Sequence, residues 1–432
     1  MSEGKLLESE SKLDNLGIFD WTNVAPRQPV TDQTQEEVLV SVHEAKRNSL
    51  TWGLGIQSTT TSGNISSGVV ALPGLPTVGL PPKYQTIEKF VINPLGSLEY
   101  SRLNLRGRAE TASVAAFVSV LDQKGSFTYT DPQFRGLDWS ALWSLSAEHT
   151  TENPLFTARL GTASFQVEKV LDAAKTKRLQ FHYTFQRTTL TDLLIKGFIP
   201  PDQTNVSTST LSATFLRDTR DKPLDAHKGS YQTLDFGVSP AAIGSTFNTV
   251  RFFGQTAFYR QVKPWMVWAN NFRLGLIAGF AGSQVPISER FFSGGANSLR
   301  GFPLNGAGPQ APATLCTSAN FATCTATITV PTGGRQLFIF NSEGRFPIPV
   351  KKGLGGVIFY DGGNVYQAIN ISHFFSCGGS KPQPGCGWSN TVGVGLRYQT
   401  PVGPIRIDIG RNLNPVPGLK STNIFITLGQ SF

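Results

Sequence analysis

The chain has 432 residues, 39% of them hydrophobic, and carries 38 Lys and Arg against 29 Asp and Glu, a net charge of +9. No stretch approaches the ~20 consecutive apolar residues that a membrane-spanning helix requires, and the longest apolar runs, such as residues 275–282, are far shorter. The basic residues are scattered without a cluster interleaved with stacking aromatics, so the excess points to anionic lipid headgroups or a cation-lined lumen and not to nucleic acid.

The first segment differs from the rest. Leu6, Leu13 and Leu16 fall along one helical face that reaches Gly17 as a stop. After a polar turn region, Val38, Val40 and Val42 alternate as a strand. A helix and two strands over residues 1–46 are too few to bury a core alone, so this stretch reads as the tail of a truncated α+β domain. The N-terminus lacks a basic region followed by an apolar run of about 7 to 15 residues. The expectation is therefore a fragment, with its targeting segment and upstream domains lost.

From residue 47 onward the dominant signal is period two, and 44 Gly and 30 Phe against 2 Met favour strands and turns. Trp139, Ala141, Trp143, Leu145 and Ala147 oppose Ser140, Ser144, Ser146 and Glu148. Leu179, Phe181, Tyr183 and Phe185 oppose Arg178, Gln180, His182, Thr184 and Gln186. Met266, Trp268, Phe272, Leu274 and Leu276 share a face that Asn270 interrupts once, and Ile405, Ile407 and Ile409 oppose Arg406 and Asp408. Such runs predict strands at 50–58, 97–106, 111–122, 125–134, 138–149, 156–169, 177–190, 210–218, 230–238, 247–262, 265–280, 335–347, 354–366, 388–400, 404–412 and 422–432. The predicted fold is all-β, a transmembrane antiparallel β-barrel of about 16 strands over residues 47–432. Closure removes exposed edges, and in lipid every backbone polar group has to be paired.

Between predicted strands lies a long loop, 281–334, that carries FFSGGANSLRGF around Arg300. Cys316 with Cys324, and Cys377 with Cys386, form two close pairs inside Gly, Pro, Ser and Thr-rich loops. Local disulfides are the favoured reading, since such bonds persist outside the cytosol. A metal site is the alternative, but neither spacing fits zinc and only His373 is near. His43, His149, His182, His227 and His373 lie in unrelated segments, and no GxSxG elbow, HExxH helix or phosphate loop is present. The reading is of a protein that is not an enzyme and needs neither cofactor nor metal.

SLRGF at 298–302 resembles the loop motif of the outer-membrane assembly-factor superfamily, the bacterial surface antigens typified by BamA and TamA, with Leu299 where that family has Val or Ile. RDTRDKPLDAHKGSY at 217–231, NSEGRFPIP at 341–349, FYDGGNVY at 359–366 and GLRYQTPVGPIRIDIG at 395–410 are similar to further segments of that family, in order and spacing. The N-terminal segment resembles the end of a polypeptide-transport-associated (POTRA) domain.

The resemblance implies that loop 281–334 folds into the lumen, where Arg300, Gly301 and Phe302 form the lock. Arg300 would pair with Asp361, and Glu343 would be a second or alternative partner. It further implies a weak lateral seam between the first strand, with Trp52, Gly53, Leu54 and Gly55, and the last, with Gly429 and Phe432. The implied function is insertion of client barrels in the bacterial outer membrane, with the N-terminal segment in the periplasm. Unfolded outer-membrane β-barrel clients, outer-membrane lipids and accessory lipoproteins or periplasmic factors would be the partners, and no nucleic acid. A polypeptide secretion pore of the two-partner type is the alternative.

Overall fold

The computed structural model describes residues 3–14, 16–26, 37–65, 69–70, 78–79, 85–119, 122–150, 157–191, 200–223, 225–316, 324–351, 353–370, 387–400, 403–416 and 419–428. Helix α1 (Glu3–Asp14) is followed by strands β1 (Phe19–Pro26) and β2 (Val38–Glu44), which pair antiparallel with Val40 opposite Val24. The chain then enters one antiparallel sheet.

Its first eleven strands are β3 (Asn48–Ile65), β4 (Gln85–Leu105), β5 (Glu110–Ser119), β6 (Asp122–Asp131), β7 (Ser140–Thr150), β8 (Thr157–Val170), β9 (Lys177–Thr191), β10 (Asn205–Asp218), β11 (Gly229–Ser239), β12 (Thr249–Lys263) and β13 (Met266–Gly279). A hairpin, β14 (Gln310–Cys316) with β15 (Cys324–Pro331), interrupts the order. The last five are β16 (Gln336–Pro347), β17 (Leu354–Tyr366), β18 (Ser389–Thr400), β19 (Gly403–Asn412) and β20 (Thr422–Leu428). The sheet has 16 strands, and each pairs with its sequence neighbour except that β13 pairs across the hairpin with β16. The expected all-β fold and strand number are those observed.

The differences are at strand ends and in the long loop. β3 runs to Ile65 and β4 begins at Gln85, well beyond the predicted 58 and 97, because the two form one continuous ladder from Asn48 opposite Arg102 to Ile65 opposite Gln85. The sequence TTTSGNI within it has no apolar alternation to reveal a strand. The hairpin β14–β15 lies inside the segment expected to be loop, and its TATITV run is β-branched and alternating.

Alternation sorts the two faces of the sheet. Ile405, Ile407 and Ile409 are 41%, 40% and 43% exposed, whereas Arg406 and Asp408 between them are 1% and 0% exposed. The exposed band continues through Leu98, Val114, Leu145, Phe181, Leu211, Phe236, Trp268, Ile358, Val394 and Ile424, as a lipid-facing surface requires. Asn270, which breaks this band, is register partner of Ser342, whose hydroxyl accepts a 2.8 Å hydrogen bond from the indole of neighbouring Trp268.

The connections are unequal. At one end, the end that carries α1, β1 and β2, strands β12 and β13 are joined by the short turn 264–265; at the other the long loop leaves β13 after Gly279 and returns to the sheet at Gln336. Near the short-turn end Trp143 packs on Tyr129, Phe134 and Phe165 with ring centroids 5.4, 5.7 and 5.0 Å apart. Nearby at that end Lys263 sits over Trp265. These aromatics form part of an interfacial girdle of the kind membrane barrels carry.

Candidate functional site: a buried arginine and its acidic wall

The long loop docks on the polar face of the sheet, opposite the exposed aliphatic band. Leu299 and Phe302 are 0% and 1% exposed and pack with Ala307 on Leu337, Ile339 and Val365. Burying two such side chains stabilises docking by about 1.5–3 kcal/mol each. Between them sits Arg300, itself 1% exposed.

Its guanidinium is engaged on every side. Nε donates to Asp361 Oδ2 at 2.8 Å and Nη2 to Asp361 Oδ1 at 2.7 Å, a bidentate fork, while Nη1 donates to Glu343 Oε1 at 2.5 Å. The Arg300 backbone N–H adds a bond to Asp361 Oδ2 at 3.1 Å, and Asp408 Oδ2 lies 3.6 Å from Nη1. The Phe359 ring centroid is 3.4 Å from Cζ, a cation–π contact that is stronger when desolvated. Burial pushes the Arg300 pKa down, but the carboxylates of Asp361 and Glu343 outweigh it and hold the group above its ordinary value.

The neighbouring carbonyls are also held. Arg273 of β13 donates to the Asn297 carbonyl at 2.6 Å, Asn341 of β16 to the Ser298 carbonyl at 2.6 Å, and Asn423 of β20 to the Gly301 carbonyl at 2.8 Å. Arg406 of β19 hydrogen-bonds the Asn297 side chain. The loop is therefore tied to strands on both sides of its insertion point and to the last strand of the sheet. Two glycines make the approach possible: a Cβ on Gly410 would collide with the Arg300 carbonyl, and one on Gly301 would come within 2.7 Å of the Asn412 backbone nitrogen.

The acidic wall has its own supports. Glu343 accepts from Arg345 Nε at 2.9 Å, and Asp408 accepts from Arg397 Nη1 at 2.7 Å. Asn341 Nδ2 also donates to Asp361 at 2.8 Å. The structure thus brings Arg300, Glu343 and Asp361 together and makes both acids partners of the arginine, with Asp361 taking the fork. Sequence reasoning missed Asp408, Arg345, Arg397, Arg406, Arg273 and Asn341. The signal for Asp408 was its inward position between isoleucines.

The expected seam residues of the first strand are on β3. Trp52 and Leu54 are 69% and 82% exposed on β3. Gly53 and Gly55 belong to the same strand, with Gly53 opposite Ser97 and Gly55 opposite Leu95. Among the described residues no ladder joins β3 to β20, although their Cα atoms approach within 8 Å. Gly429 and Phe432 lie outside the described residues, as do Cys377 and Cys386; Cys316 and Cys324 are register partners across the β14–β15 hairpin. Among the described residues no cluster of His, Cys, Asp or Glu suits a metal ion.

Residues 104–432 match the Omp85 superfamily domain. The chain belongs to the Omp85 superfamily. This Omp85 chain is 35% identical over 105 residues to a SAM50-like protein of Schizosaccharomyces pombe, an alignment that covers 23% of the chain and 22% of that relative. The chain thus spans about a fifth of that curated relative's length. Among solved structures, it is similar to BamA from Haemophilus ducreyi lacking POTRA domains 1–3, with TM-score 0.71 and 15% identity over 100% of this chain and 79% of that one. CdiB from Acinetobacter baumannii gives 0.51 and 13% over 97% and 67%. CdiB from Escherichia coli gives 0.53 and 13% over 98% and 69%. At these identities the likeness to solved structures is one of fold, an outer-membrane barrel of the BamA type.

Proposed function

We propose that this Omp85 barrel is an insertase that accepts the terminal strand of a client β-barrel at its own seam. The observation that carries this reading is the mismatch between the two edge strands: β3 has 18 residues, and β20, beside it, has 7 among the described residues. Among the described residues the outer edge of β3 has no ladder partner in the sheet, and its row of backbone N–H and C=O groups is a template for β-augmentation. The docked loop holds the other side through Asn423 and Gly301, so β20 is braced while β3 is left to exchange partners. Arg300, Gly301 and Phe302 act as the lock of that brace, with Glu343 and Asp361 as its receptor. No covalent step is involved.

In this reading the membrane is the bacterial outer membrane, and residues 1–46, as the end of a POTRA domain, stand in the periplasm with the short turns. Clients are unfolded outer-membrane barrels, and accessory lipoproteins or periplasmic factors dock upstream. The alternative, a polypeptide secretion pore, has support in the polar inner wall of β9–β11, where His182, Thr214 and Asp235 form a hydrogen-bonded row. Reconstitution in liposomes separates the two. The insertase accelerates client barrel insertion and loses this when cysteines placed in β3 and β20 are cross-linked; no acceleration together with measurable conductance in planar bilayers overturns it in favour of the pore.

A further inference from the structure

The outer face of the barrel carries a second built feature, near the long-loop end. A groove of about 590 Å³ crosses β5–β9 there. The register sets two successive rungs of outward residues. In the upper rung Gln123 faces His149 and His149 faces Arg159; in the lower, Gly125 faces Ala147, Ala147 faces Gly161 and Gly161 faces Arg187. Both rungs share the parity of Phe127 and Leu145, which are exposed on the lipid-facing side. A Cβ on Gly125 or Gly161 would meet nothing within 4 Å, so the lower rung is an open trough.

The charge is one-sided. Arg159 and Arg187 are exposed on this face with His149 beside them, and the Arg187 guanidinium is oriented by its Nε bond to Asn205 Oδ1 at 3.2 Å. The acid that also lines the groove, Glu148, has the opposite parity and is paired on the inner face with Lys124 at 3.1 Å. Arg159 in the upper rung and Arg187 at the end of the lower one thus flank an apolar trough of Gly125, Ala147 and Gly161 on the lipid-facing wall. A phosphate-bearing lipid has the complementary form, an anion joined to an acyl chain, and guanidinium forks suit phosphate.

We propose that this groove is a binding site for a phosphate-bearing membrane lipid, with the headgroup on Arg159 and Arg187 and the first part of an acyl chain over Gly125, Ala147 and Gly161. It rests on the barrel standing in a bilayer and is independent of the insertase reading. The site would anchor strands β5–β9 to one leaflet.

The test is lipid titration of the detergent-solubilised full chain, followed by native mass spectrometry, with phosphatidylglycerol, phosphatidylcholine and inorganic phosphate as probes. Wild type should bind phosphatidylglycerol in preference to phosphatidylcholine. Arg159→Gln with Arg187→Gln should lose on the order of 25-fold, about five-fold for each cation at an anionic headgroup. Ala147→Leu with Gly161→Leu fills the trough and should weaken phosphatidylglycerol binding with both arginines kept. Each variant is checked for retained folding by heat-modifiable gel migration. Equal binding of the two lipids by wild type, unchanged phosphatidylglycerol binding in the Arg pair variant, or competition by inorganic phosphate as effective as by lipid would each overturn the proposal.

Discussion

Replacing Arg300 with Ala removes the cation at the centre of the loop-docking site, and the structure sets the size of the effect. Asp361, Glu343 and Asp408 are 0% exposed. Glu343 keeps Arg345 at 2.9 Å and Asp408 keeps Arg397 at 2.7 Å, so only Asp361 loses its charged partner, and it retains Asn341 at 2.8 Å. Breaking a buried pair by deleting one member costs about 3–5 kcal/mol. With two of the acids still compensated, the lower end applies, about 3 kcal/mol or roughly a 150-fold shift toward the undocked loop. The assay is limited proteolysis of segment 281–334 in the folded, detergent-solubilised protein, because cleavage follows the opened population when reclosing is fast. Arg300→Ala should be cut on the order of 100-fold faster in that segment, and Arg300→Lys, which keeps the charge but loses the fork, should fall between. Equal cleavage of wild type and Arg300→Ala would refute the reasoning.

Gly410→Ala should also release the loop, at a cost of about 1–3 kcal/mol, because its methyl group collides with the Arg300 carbonyl; the same proteolysis reads it, with Gly161→Ala as a neutral control. Phe302→Ala, which empties a buried site between Leu299 and Ala307, should cost about 3–5 kcal/mol and broaden thermal unfolding of the barrel. The pKa of Arg300 is raised, so its contribution is present below the ordinary arginine value and is lost only above it. Loop protection measured from about pH 6 to about pH 10 should therefore stay constant as far as Arg300 is concerned, and a fall within that range would contradict the pairing. Cys316 and Cys324, as register partners, should resist alkylation until a reductant is added.

What was legible in the sequence is what has period two. Residues 178–186 and 405–411 announce strands because one face meets lipid and has to be apolar at every second position. The hairpin of β3 and β4 beyond residue 58 was not legible, since TTTSGNI carries no such contrast. At the site, Arg300 stood out through its glycine frame and its resemblance to a known motif. Asp408 and Arg397 did not, although both alternate with exposed apolar residues, because Asp408 meets Arg397 only through the register of β18 with β19 and meets Arg300 only once the distant loop docks. A charged residue that alternates with isoleucines on a barrel strand faces inward, and its partners are set by the register of the neighbouring strand and by the loop docked on that face.

Pairing of a client strand with the outer edge of β3 can be read by site-specific cross-linking. Single cysteines at Thr51, Trp52, Gly53 and Leu54 of this chain would be combined with single cysteines along the last strand of a client barrel and oxidised during insertion. Cross-links that fall on one register diagonal are the predicted result. Cross-links to inner-wall positions such as Gln180 and Thr214, with none on β3, would contradict the account.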